Sequence, residues 1–81
     1  MGNHDFFRAP EGKFRVIEID EYEQQFSIVE EDYIETVKDC GTIAEAELLV
    51  QEVTKPSHKR LIYDSNGNCV GQSKRTGKLL R

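Results

Sequence analysis

The chain has 81 residues, 37% of them apolar and 32% charged, with 11 basic and 15 acidic side chains and a formal net charge of −4. That length suits one small domain, and the composition excludes a collagen, a membrane-spanning protein and a disulfide-dense miniprotein. The charge is segregated: residues 1–55 hold five basic and fourteen acidic groups, a balance of −9, while residues 56–81 hold six basic groups and only Asp64, a balance of +5.

The first residues lack the apolar run of a secretory signal, and the longest apolar stretches are Leu48-Leu49-Val50 and Leu61-Ile62-Tyr63. The expectation is a cytoplasmic protein without a membrane partner, its Cys40 and Cys69 kept as reduced thiols. Residues 1–12 form an irregular arm punctuated by Pro10 and Gly12. Phe6 and Phe7 within it are expected either to dock on the domain or to anchor a partner.

Phe14 to Asp20 is rich in β-branched residues and predicts a strand. The acidic stretch Asp20 to Gln25 is expected to turn, and Phe26-Ser27-Ile28-Val29 to return as a short second strand in an antiparallel hairpin. Glu30 to Cys40 fits either a helical spacing or a strand, and its β propensity favours the extended form. Thr42 followed by Glu45 makes a capping box, and Ile43, Ala46, Leu49, Val50 and Val53 form one apolar stripe, so a helix is predicted over Thr42–Thr54, stopped by Pro56. Asn66-Gly67 between two strand-like runs predicts a hairpin in which Asp64 faces Cys69, Tyr63 faces Val70 and Lys59 faces Lys74.

The expected fold is a small two-layer α+β domain over residues 13–73. It has a mostly antiparallel sheet of three to four strands in β-β-α-β-β order and one amphipathic helix on one face. Residues 74–81 are expected to be a basic, flexible tail. A single helix covers one sheet face, yet both faces carry apolar residues. The arm carrying Phe6 and Phe7 is the favoured cover of the second face, with another chain as the alternative, and Phe6, Phe7, Ile17, Ile19 and Ile62 are the candidates for an apolar partner contact.

No catalytic, metal or cofactor constellation is visible. Asp64-Ser65-Asn66-Gly67-Asn68 begins like a calcium loop, but Cys69 stands where glycine is needed and Arg75 where glutamate is. His4, His58, Cys40 and Cys69 lack zinc-ligand spacing. Cys40 lies near a helix N-terminus, but acidic neighbours oppose its ionisation. The basic residues Lys55, His58, Lys59, Arg60, Lys74 and Arg75 are expected to gather at the open end of the last hairpin as an anion-binding or partner-contact patch. The acids Glu18, Asp20, Glu21, Glu23, Glu30, Glu31, Asp32 and Glu35 crowd the first hairpin.

These features favour a small non-catalytic protein-binding or regulatory module, with a protein partner or a second copy of itself. The alternative is a nucleic-acid-associated protein using Lys59, Arg60, Lys74 and Arg75, or an acidic mimic of nucleic acid.

Overall fold

The computed structural model describes residues 5–73. Its frame is a four-stranded antiparallel sheet in the spatial order β2-β1-β3-β4, formed by β1 (Phe14–Asp20), β2 (Ile34–Cys40), β3 (His58–Tyr63) and β4 (Cys69–Gln72). A four-residue helical turn, α1 (Glu21–Gln24), and a 3₁₀ turn (Glu30–Asp32) lie between β1 and β2, and the helix α2 (Ile43–Val50) lies between β2 and β3. The strand expected over Phe26–Val29 does not form. The partner of β1 is the later segment Ile34–Cys40, whose β-branched and half-buried residues supply the ladder. One residue of β2, Val37, is bulged out where the register shifts between Val16 and Ile17, a feature that bends and twists the strand locally.

Alternation along β1 sends side chains to both faces, and both faces of β1 are covered. On one, Val16, Cys40 and Ile62 pack against Ala46 and Val50 of α2. On the other, Ile17, Ile19, Ile34 and Leu61 pack beneath Phe6, with Phe7 and Tyr63 at the margin. The arm is thus the second cover. It is tied down by Ala9 N–H donating to the Asp64 carbonyl at 3.0 Å and by an Arg15 guanidinium N–H donating to the Asp5 carbonyl at 2.9 Å. Phe6, Ile17, Ile19 and Ile62, expected as partner contacts, are instead buried in these two cores. Phe7 is half-buried, its ring edge-on to Tyr63 at 5.2 Å.

Helix α2 starts as predicted, with Thr42 Oγ1 accepting from Glu45 N–H at 3.1 Å. The reciprocal half of the capping box is absent. The Glu45 carboxylate pairs with Lys38 Nζ at 2.8 Å and draws the Gly41 N–H, which together hold it below the usual carboxylate range. The helix ends at Val50, four residues before Thr54. Its C-terminal Leu49 carbonyl is claimed from outside by the Arg60 guanidinium at 2.7 Å, so the orphan acceptors of the last turn find a partner without further helix. Ser57 then takes the left-handed conformation, φ 68°, to swing the chain into β3.

The last hairpin forms with a different turn. Gly67 N–H donates to the Asp64 carbonyl at 3.1 Å and Asp64 N–H to the Asn68 carbonyl at 3.0 Å. The loop is therefore Ser65-Asn66-Gly67, with only Gly67 at positive φ, 84°. This is a type I turn followed by a left-handed residue rather than a two-residue type I′ turn. The Asp64 carboxylate selects it by accepting from Asn66 and Asn68 N–H, each at 2.9 Å, and those bonds hold its pKa below the ordinary range. Tyr63 consequently faces Cys69, not Val70, and a one-residue shift restores the expected pairs Ile62–Gly71 and Leu61–Gln72. Cys69 therefore shares a face with Tyr63 rather than with Ile62. The expected Lys59–Lys74 pair involves a residue outside those described.

Gly67→Val should destabilise the domain by about 1–3 kcal/mol, because a β-branched residue is strained at positive φ. Its Cβ would also press on the Phe7 carbonyl at 3.3 Å. An unchanged midpoint in thermal unfolding would refute this turn.

Candidate functional site

The pairing of β1 with β3 sets Glu18 directly opposite Arg60, and Asp20 opposite His58, on the face that carries α2. Glu18 is buried among these cations. Its Oε1 lies 2.7 Å from Arg60 Nε and its Oε2 lies 2.5 Å from His58 Nδ1. His58 Nε2 in turn faces Asp20 Oδ2 at 3.3 Å. Burial pushes the Glu18 carboxyl upward, but the hydrogen bonds and charges of Arg60 and His58 outweigh it and leave the pKa below the usual range. The network joins β1, β3 and the end of α2 through one carboxylate.

On the opposite face Lys59 Nζ pairs with Glu21 Oε2 at 2.9 Å. His58, Lys59 and Arg60 are therefore spent on neighbouring carboxylates, while Lys55 lines a small acidic hollow with Glu31, Asp32 and Glu35. Lys74 and Arg75 lie outside the described residues. His58, expected in the basic patch, is seated between Glu18 and Asp20. That hollow measures about 130 Å³, space for a few waters and well under the ~300–1,000 Å³ of a typical small-molecule site.

The lowered pKa of Glu18 fixes the sign of an acid transition. Its charged form stabilises the fold above the unfolded carboxylate pKa of about 4.3. That stability drains away as pH falls through the lower folded value. The melting temperature should drop on acidification below pH ~4.5, and Glu18→Gln should show a shallower acid slope from a lower starting point.

Cys40 is buried at the end of β2, and burial, the largest influence, pushes its thiol above the ordinary range. A thiol so placed is a poor nucleophile near neutral pH. Cys69 is exposed on β4.

The more informative surface is one the sequence misassigned. Residues 21–33 form a closed loop whose ends meet through Asp20 N–H donating to the Tyr33 carbonyl at 2.9 Å. It is held by its own bonds. Asp20 Oδ1 caps α1 by accepting from Tyr22 and Glu23 N–H at 3.0 and 3.1 Å. The Ser27 hydroxyl donates to Asp32 Oδ2 at 2.9 Å, and Tyr33 N–H donates to the Glu30 carbonyl at 3.1 Å. On this scaffold Tyr22 and Phe26 stack edge to face at 5.2 Å, yet they are 60% and 68% exposed. Ile28 is 97% exposed, and Val29 is exposed beside it.

No family model matches the chain, and neither a curated protein nor a solved structure does. Among the described residues no helix is long and apolar enough to cross a membrane.

The loop holds five acids (Glu21, Glu23, Glu30, Glu31 and Asp32) and no basic residue. Tyr22, Phe26, Ile28 and Val29 are thus held in water by an ordered backbone, in a loop that also carries five carboxylates. The signal available in the sequence was the acidic flank on both sides of Phe26-Ser27-Ile28-Val29, a run with no polar alternation to give a strand a solvent face.

Proposed function

We propose that the chain is a non-catalytic, protein-binding module whose recognition element is the loop 21–33. Its partner is a protein with an apolar pocket bordered by lysine or arginine. The observation that carries this reading is the exposure of Tyr22, Phe26, Ile28 and Val29 on a self-braced loop with five acids. Burying side chains of this kind releases about 1.5–3 kcal/mol each, and the loop's carboxylates would steer a basic surface toward them. The occupation of His58, Lys59 and Arg60 by Glu18, Asp20 and Glu21 weighs against a phosphate-binding end built from the same residues.

The test compares the wild-type chain with Ile28→Asp and with Phe26→Ser as bait in its native extract. All three should melt alike, because these side chains support nothing in the core. The expected result is a basic protein retained by the wild type, lost by both variants and released by salt. Identical captures from all three chains would defeat the proposal.

The run Glu30-Glu31-Asp32 favours a second reading, mimicry of nucleic acid, in which carboxylates alone occupy a basic groove. It predicts a partner that Ile28→Asp still binds and that DNA or RNA displaces.

A further inference from the structure

The sheet face that carries α2 is only partly roofed. Four strands at ~4.8 Å spacing make a face roughly 19 Å wide, and a helix with its side chains covers about 10 Å of it. The buried residues that meet α2 come from β1, β2 and β3, namely Val16, Cys40 and Ile62, and none comes from β4. Over β4 lies an apolar groove of about 770 Å³, walled by Ala44, Leu48 and Val50 of α2 and floored by Ile62 and Gly71.

Two details mark it as a seat rather than a packing defect. Leu48 is 70% exposed on the wall, a large apolar side chain left in water on the helix that roofs this face. Gly71 keeps the floor flat: a Cβ there would lie 2.9 Å from Ile62 Cδ1, so the strand has no side chain of its own to fill the space. The remaining lining residues are Glu47, Gln51 and Gln72, so among the described residues the rim carries one negative charge and no positive one.

We infer that this groove receives an amphipathic helix of a partner protein, laid beside α2 over β3 and β4, with leucine-like residues toward Leu48 and Ile62 and a lysine or arginine beside Glu47. A second helix of ordinary width completes the roof that one helix leaves open. The rim charge selects a basic flank over an acidic one. This surface is separate from the loop 21–33 and does not depend on its role.

The probe is a fluorescein-labelled amphipathic helix of leucine and lysine, about 14 residues long, tested on the full chain beside its leucine–glutamate counterpart. Anisotropy gives affinity, and amide chemical shifts give location. The expected result is saturable binding that shifts the amides of Ala44, Leu48, Gly71 and Gln72. The Leu48→Gln chain, unchanged in charge and melting temperature, should bind about tenfold more weakly, a loss near 1.4 kcal/mol. The glutamate peptide should also bind more weakly.

No binding, equal binding by Leu48→Gln, or shifts centred on residues 21–33 would overturn the inference. So would binding that appears only in a Leu79→Gln/Leu80→Gln chain, which would assign the groove to the protein's own last residues. Concentration-dependent shifts at Leu48 without peptide would assign it to a second copy.

Discussion

Arg60→Met should destabilise the domain by about 3 kcal/mol, because it removes one partner of a buried charge pair. Glu18 would keep only His58 against the burial that opposes its charge, and the Leu49 carbonyl would lose its side-chain donor, keeping Glu52 N–H. The value sits at the low end of the range for buried pairs since the Arg60 side chain retains 16% exposure, against 6% for Glu18. Glu18→Met alone should cost a comparable amount by leaving Arg60 unpaired in the same place. The double variant Glu18→Met/Arg60→Met should recover a large part of the loss, because two apolar side chains of similar length avoid the desolvation that the ions suffer. Urea unfolding of the four chains measures the coupling. Additive single effects would mean that Glu18 and Arg60 act independently and that the network is a surface feature.

The residues of this network were visible in the sequence as charges but not as a network. Their meeting depends on β1 lying between β2 and β3, and that order follows from the identity of the second strand. Phe26-Ser27-Ile28-Val29 has strand propensity yet lacks an alternating pattern, so either face could be chosen and neither is paid for by a core. Ile34 and Cys40 lie six apart with a bulge at Val37 between them, and this spacing buries one on each side of the sheet. Periodicity cannot anticipate a bulge, since one extra residue inverts the facing of everything beyond it.

The helix start was legible because a cap is a local bond between Thr42 and Glu45. Its end was not, because Arg60 reaches it from eleven residues away. The same contrast holds at the last hairpin. Asn66-Gly67 correctly marks the turn, but the Asp64 carboxylate decides between turn types and moves the register by one residue. The segregation of charge along the chain does not survive as two electrostatic ends. Among the described residues, His58, Lys59 and Arg60 of β3 are laid against carboxylates of β1 and the start of α1, so the acidic and basic segments meet across the β1–β3 ladder.

Phe6→Ala should also cost about 3 kcal/mol, the low end of the range for truncating a buried phenylalanine. That is a large share of the stability of a domain this small. Phe6 is buried against Ile17, Ile19, Ile34 and Leu61, which would otherwise face water. The arm that carries it is fixed by backbone bonds, from Ala9 to Asp64 and from Lys13 to Pro10, and by Arg15 at the Asp5 carbonyl. Those bonds limit how far the arm can sink into the space left by the ring, so the cavity term persists. Phe7→Ala removes an edge contact with Tyr63 at a half-buried position and should cost nearer 1 kcal/mol. The ratio of the two is the sharper measurement, because both substitutions shorten the same arm by the same group. A loss below about 1 kcal/mol for Phe6→Ala, or equal losses for both, would mean that the arm lies loosely on the sheet. The apolar face formed by Ile17, Ile19, Ile34 and Leu61 would then be open to a partner. A loss confined to Phe6 makes residues 5–12 part of the domain, and leaves the loop 21–33 and the groove over β4 as the apolar surfaces free for recognition.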